Sequence, residues 1–474
     1  MPRILVRVLQ RVADADPTRM LAALPPNCRP VLLDSSSGRG ASLLAWNPDR
    51  TVAGRLRPGA CMPSGGGPRS RWPLATVDPA LLLEQASQHE DWQWEQSDLP
   101  QMGGWIGYLS FECGHAWEPF PWLPADPAGF DDYHFARYRN AVLFLPTGEA
   151  LLLWGEDDSL SPQIANAERA DLADQFNQLL GAPPIATSAA WLPAPPQPVG
   201  DAQSYQGSVR QMRRWIGAGE LFQANLSHRM QGPAPQDARA FYASLRPRQP
   251  TEMSAYFETG AERALLSWSP ETFLSVRGAQ LRTMPIKGTA MRGDSPELDA
   301  ALAAELDASI KERAELNMIV DMARNDLGRV AVPGLVRLIH SGKVVPFPTL
   351  FHRVAEVQAK WNPSLGLRAL MQATFPPASV TGAPKVRALQ AIAELEQSAR
   401  GPYCGTFGYW LPGEPRGEFS VLIRTSTVGR KQLSLRVGAG IVWDSDPLLE
   451  WQETLVKARY LTYQPVAAPL RVNA

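Results

Sequence analysis

Residues 262–289, ERALLSWSPETFLSVRGAQLRTMPIKGT, constrain the fold more than any other stretch. They read as short strands following one another, punctuated by Gly and Pro rather than by helices. More strand-like runs precede them: RPVLLDSS, GGWIGYLSFE, NAVLFLP and EALLLWGE. FSVLIRTSTV and LSLRVGAGIVW read as a pair near the end of the chain. Helical patterns fall between these clusters. Residues 295–328 read as one long helix, with Leu298, Leu302, Leu306 and Ile310 recurring every fourth residue. APKVRALQAIAELE places Pro384 at a first helical turn. DSDPLLEWQETLVKARYL offers Ser445 or Asp446 as N-cap and Pro447 in the first turn. Strands and helices in clusters favour an α+β fold with mostly antiparallel sheets over a doubly wound parallel sheet.

A chain of 474 residues exceeds one ordinary core. The clearest boundary is the Pro-rich segment 181–200, GAPPIATSAAWLPAPPQPVG, which is expected to be extended and exposed. It separates an N-terminal region, 1–180, from a C-terminal one, 201–465. A second loop, CMPSGGGPRSRWP at 61–73, is expected to be mobile. The formal net charge of -1 argues against a nucleic-acid or anionic-membrane partner. Cys28, Cys61, Cys113 and Cys404 are scattered, without a CxxC pair, which argues against a zinc site or disulfide framework. The N-terminus shows no sustained apolar core, and no run approaches the roughly 18 residues of a membrane span. The expectation is a cytoplasmic protein.

Two carboxylate pairs stand out. Glu312 and Glu315 are three apart on the expected long helix, opposite the leucine stripe. Glu450 and Glu453 repeat the spacing on the last helix, with Lys457 one turn on. Like charges on one face repel unless a cation or water separates them. Magnesium takes oxygen ligands and keeps waters, so two such helices would suit it. A solvated helix face explains the spacing equally simply.

Several longer motifs occur in order: GELFQANLSHR, LLSWSPETF, MPIKGTAMRG, KERAELNMIVDMARNDLGRV, SVTGAPKVRA, GPYCGTFGYW, VLIRTSTV and RVGAGIVWDSDPLLEWQETLVKA. Together they resemble the chorismate-utilising enzymes, strongly from about residue 200 to 460 and more weakly through LLDSS and GGWIGYLSFECG. The resemblance implies two large, mostly antiparallel sheets packed face to face with helices outside. It also implies roles. PIKGT at 285–289 resembles the aminodeoxychorismate synthase type, where anthranilate synthases have PIAGT. Lys287 would then attack ring carbon 2 of chorismate and expel the hydroxyl at carbon 4; ammonia would attack carbon 4 and release the lysine. A free lysine is only about 0.04% neutral at pH 7, so the site must depress its pKa. Glu271 in SPETF matches the general acid, which works best with a pKa raised toward neutrality. Gln223 stands where isochorismate and salicylate synthases have a lysine that activates water; an amide is no general base.

By the same resemblance Glu315 and Glu453 match direct magnesium ligands, and Glu312 and Glu450 reach the ion through water. Arg424, Tyr403, Lys457 and the backbone of Gly438, Ala439 and Gly440 match contacts to substrate carboxylates; alone, Gly-Ala-Gly reads as a strand bulge. Gly288, Thr289 and His352 also fall at active-site positions. Ser35, with Met253 and Ser254 facing it, matches a tryptophan pocket. The chain departs from the usual pattern at Pro377-Ala378, at Thr272, and at Arg353 and Ala355, where Leu and Ser are common. No stretch resembles a glutaminase, so the expected partners are chorismate, ammonia and a separate glutamine amidotransferase subunit. Anthranilate synthesis is the alternative activity. A non-catalytic chorismate- or tryptophan-binding regulatory subunit is the alternative of another class.

Overall fold

Two sheets absorb nearly all the strand-like runs. The computed structural model describes residues 3–59, 72–88, 90–95, 99–100, 103–126, 128–185, 191–260, 262–347, 350–411 and 415–461, without the Lys311 side chain. The 61–73 loop therefore lies almost wholly outside the described residues. Among those described, one sheet has 13 strands and the other 10. Their ladders are antiparallel except where Arg3–Ala13 meets Asp91–Trp94 in parallel.

Strands from both sides of the Pro-rich segment share each sheet. Val31–Asp34 pairs with Met253–Gly260 in the larger one. Gly104–Leu109 pairs with Thr406–Leu411 in the smaller one. The Pro-rich segment itself adds a two-residue edge strand, Gln197–Pro198. The sheets pack face to face through Tyr108, Phe257 and Phe407, whose ring centroids stand 6.2 and 5.5 Å apart in succession. Each such aromatic contributes roughly 1.5–3 kcal/mol by burial. Gly104–Leu109, Tyr133–Tyr138 and Thr406–Leu411 are buried at every residue, because both faces of these strands are covered. Helices Ile310–Gly328, Gly366–Thr374 and Lys385–Glu396 pack beside the smaller sheet's Leu274, Val357 and Phe419. This is an α+β fold of two large sheets flanked by helices. Among the described residues no helix is long and apolar enough to cross a membrane.

Three expectations change in ways that matter for the site. The long helix is two, Pro296–Ala308 and Ile310–Gly328, broken at Ser309. Its leucine stripe is not a core face: Leu306 is buried, but Leu298 is 49% and Ile310 82% exposed. The second helix buries Leu316, Ile319, Val320, Ala323 and Leu327 instead. FSVLIRTSTV is also two strands. Arg416–Val421 belongs to the smaller sheet and Thr425–Val428 to the larger. Leu422–Arg424 crosses between them, with Arg424 in the left-handed region at φ 49. Finally, Gly438–Gly440 is no bulge: Ser227, Leu226 and Asn225 face Gly438, Ala439 and Gly440 in unbroken register. Asp446 is the N-cap of the last helix, accepting from Leu448 and Leu449 N at 2.9 and 3.0 Å.

Candidate active site

Lys287 lies on Ile286–Met291, a strand that pairs on one side with Leu350–Trp361. The register slips between Lys287 and Thr289, around Gly288 at φ 77. A Cβ at Gly288 would stand 3.1 Å from both Leu306 Cδ1 and Glu312 Oε2, so the helix junction rests on this bulge. Beyond it, Thr289 Oγ1 and His352 Nδ1 share a 3.1 Å hydrogen bond. Burial pushes His352 down to about 4, with the Arg424 charge adding to this, so its ring is neutral near pH 7.

Lys287 is surrounded by the expected groups. Burial holds its amine below the ordinary lysine range; Glu315 pulls it up, Lys457 pushes it down, and Glu271 and Glu453 pull it up. Glu271 sits in the turn before Thr272–Arg277 and is 4% exposed. Burial raises its pKa to about 7 against the opposing effects of a Ser379 hydrogen bond, the Lys287 charge and the Ile286 N–H. A carboxyl raised toward neutrality and a destabilised ammonium therefore act on each other, a common sign of a reaction site.

Gln223, Gly440 and Lys287 meet at one point. A Cβ on Gly440 would lie 2.7 Å from Gln223 Nε2, which would have to shift, and 3.5 Å from Lys287 Nζ, an ordinary contact. Gln223 is 1% exposed, and among the described residues its Oε1 has no hydrogen-bond partner. Gly438 plays the same part for Tyr403, whose hydroxyl would lie 2.9 Å from a Cβ there. The strand carrying these glycines outruns its neighbour, which pairs only with Leu433–Leu435, so one edge of Gly438–Gly440 is open to a ligand. Lys457 Nζ donates to Gly438 O at 3.0 Å and pairs with Glu453 at 2.6 Å. Burial pulls Arg424 below its usual range, and among the described residues no carboxylate pairs with it. A partly buried guanidinium in that state has the chemistry to receive an anion.

These observations decide the family. A model described as chorismate binding enzyme matches residues 34–463. The chain belongs to the chorismate-binding enzyme family. This chorismate-binding enzyme is similar to aminodeoxychorismate synthase component 1 of Salmonella typhimurium, 34% identical over 366 residues and 77% of each chain. It is 33% identical over 377 residues to an anthranilate synthase component 1 of Haloarcula marismortui, covering 77% of this chain and 76% of the relative. The crystal structure of anthranilate synthase component I from Streptococcus pneumoniae matches with TM-score 0.75 and 27% identity, over 90% of this chain and 92% of that one.

The four glutamates of the enzyme are arranged unevenly. Glu312 and Glu315 are half-buried, Glu450 is buried near Tyr205, and Glu453 is exposed and paired with Lys457. An all-oxygen donor set suits magnesium. As arranged, however, no group of three or more His, Cys, Asp or Glu among the described residues is placed to hold a metal ion.

Sequence reasoning missed Ser379 and Asn225 as supports. Ser379 bonds the Glu271 carboxyl, and Asn225 bonds the Tyr403 hydroxyl. A small cavity of about 30 Å³ lined by Glu271, Thr283, Pro285, Asp326 and Ser379 lies beside the acid. The segments meant for a tryptophan pocket do meet: Ser254 faces Asp34 across the ladder. Ser35 Oγ accepts from Gly40 N at 2.9 Å, Ser254 Oγ bonds Thr251 at 2.6 Å, and Met253 is half-buried alongside.

Proposed function

We propose that this enzyme is an aminodeoxychorismate synthase component I, forming 4-amino-4-deoxychorismate from chorismate and ammonia. The observation that carries the reading is Lys287, held below its usual range beside Glu271 at about 7. A neutral Lys287 Nζ attacks ring carbon 2, the ring double bonds shift, and the hydroxyl on carbon 4 departs as water with the Glu271 proton. Ammonia then attacks carbon 4, the double bonds shift back, and the carbon 2–nitrogen bond breaks with its electron pair returning to Lys287. The proton released from the new amine returns to the Glu271 carboxylate. One water leaves and one ammonia enters. Arg424, Tyr403, Lys457 and the open edge of Gly438–Gly440 hold the substrate carboxylates, with Gly288, Thr289 and His352 shaping the wall. Gln223 offers an acceptor without a base, which disfavours water as nucleophile. In this reading Glu315 and Glu453 would hold magnesium directly, and Glu312 and Glu450 would reach it through water. When bound, the ion would offset the ring-carboxylate charge.

The ammonia source in this reading is a separate glutamine amidotransferase subunit. Burial pushes the Cys404 thiol up to about 12 and raises Cys28 and Cys113, so none of these is an activated nucleophile. A structural tryptophan beside Ser35, Met253 and Ser254 belongs to the same proposal; calorimetry with millimolar L-tryptophan giving no heat removes it.

The test is a product assay with chorismate, magnesium and ammonium, with and without aminodeoxychorismate lyase. p-Aminobenzoate only in the presence of lyase supports the proposal, and Lys287→Ala is expected to abolish it. Anthranilate from the wild type overturns it in favour of anthranilate synthesis.

A further inference from the structure

The helix expected as one piece breaks at Ser309, and Arg353 occupies the break. In an unbroken helix the carbonyls of Leu306 and Asp307 would accept from the amides four residues on. Arg353 reaches both instead, at 2.8 and 2.7 Å, and adds Asp307 Oδ1 at 2.9 Å from the same nitrogen, while Arg313 of the second helix also donates to Asp307 O at 2.9 Å. The other terminal nitrogen of Arg353 donates to Gly342 O at 3.0 Å. Gly342, at φ 124, keeps the passage open: a Cβ there would stand 3.3 Å from Arg353 Cγ and Cδ. Arg353 is 3% exposed and is a position where the resemblance leads one to expect leucine.

The clamp joins two parts of the site. Arg353 is the cross-strand partner of Lys287. Leu306 and Glu312, on either side of the break, are the groups that rest on Gly288. The first helix has little else to hold it, since Leu306 is its one buried residue. At its other end Arg292 pairs with Asp299 at 2.6 Å. Ser309 Oγ caps the second helix, accepting from Glu312 N at 3.3 Å.

We infer that Arg353 is a positioning residue: it enforces the break at Ser309 and so holds Glu312 and Glu315 against the strand that carries Lys287. The inference rests on that strand forming the chorismate site, not on which product is made. The experiment therefore follows chorismate consumption, together with hydrogen–deuterium exchange, in Arg353→Leu, Arg353→Lys and Asp307→Ala. Arg353→Leu is expected to lower kcat on the order of tenfold to a hundredfold, the scale of a small misplacement of reacting groups. Exchange is expected to change in residues 296–315 and not in the two sheets. Arg353→Lys keeps the charge without the fork and recovers part of the rate. Asp307 is two-thirds exposed, so Asp307→Ala folds even if the arginine variants do not, and its kcat falls a few-fold. Unchanged kcat, or exchange that rises across both sheets, overturns the inference. A wild type that consumes no chorismate overturns the reading of the site, while unaltered exchange in 296–315 overturns the clamp by itself.

Discussion

Glu271 and Lys287 are each displaced from the ionisation they would have in water, and the displacements have opposite costs. The Glu271 pKa rises from 4.5 to about 7 in the folded protein, mainly through burial, with Ser379 and Lys287 opposing. Between those values the folded state binds the proton more tightly than the unfolded one. Its contribution to stability is therefore full below about pH 4.5 and is lost as pH rises through 7, by roughly 3 kcal/mol. Glu271→Gln should be more stable than wild type at pH 8 and equal to it near pH 4.5, measured as denaturant midpoints. The same variant should lose the decline in kcat that the wild type shows above about pH 7, because an amide has no proton to give. Equal midpoints at both pH values would mean that Glu271 ionises as freely as a surface carboxylate. Gly440 offers a separate test. Its missing Cβ leaves room for Gln223 Nε2. Gly440→Ala should fold with a thermal midpoint within a few degrees of wild type, yet lose kcat by about tenfold as the Gln223 amide shifts. Unchanged turnover in that variant would mean that the position of Gln223 does not matter to the reaction.

At the scale of elements, the two carboxylate helices show what the sequence reveals and what it hides. The spacing of Glu312 with Glu315 and Glu450 with Glu453 was readable, since three residues of helix fix a shared face. The break at Ser309 was not, because it depends on Arg353 arriving from a strand about 45 residues later, and local periodicity carries no such information. The crossing at Leu422–Arg424 was hidden for a related reason: an apolar run looks the same whether it stays in one sheet or passes between two. The motif VLIRT nevertheless singled out Arg424 as a candidate, through its resemblance to the family's carboxylate contact and not through its geometry. The proposed magnesium site can be tested on these helices. Chorismate consumption titrated with magnesium should half-saturate at an ion concentration about tenfold or more higher in Glu315→Gln than in wild type. Turnover independent of magnesium, and unaffected by a chelator, would leave the glutamates as charges that tune Lys287.

For the whole molecule, the catalytic strands come from both sheets, so the site depends on how firmly the sheets are held together. Antiparallel sheets followed from clustered strands and their face-to-face packing from the family resemblance, but the sharing of each sheet across the Pro-rich segment did not, because pairing such as Ser254 with Asp34 spans the chain. One buried cluster ties several of these elements together. Glu396, on the helix Lys385–Glu396, pairs with Arg400 and Arg436 at 2.7 Å each and accepts from Ser227 N at 2.8 Å. Arg400 in turn donates to the carbonyls of Asn225 and Val380. Burial alone would raise the Glu396 pKa, but the two arginines and the hydrogen bonds hold it below 4.5. A depressed folded pKa stabilises above the unfolded value, and that stability disappears as pH falls through the folded one. Glu396→Gln keeps the shape but not the charge, and Glu396→Ala keeps neither, so both leave two buried guanidinium groups short of a partner. Chemical denaturation at pH 7 should show Glu396→Ala destabilised by about 3–5 kcal/mol. The gap should narrow as pH falls through the depressed folded pKa of Glu396, where the wild type loses the same charge. If the variant unfolds with the wild-type midpoint at pH 7, the arginines have found other partners and the sheets are held by apolar packing alone.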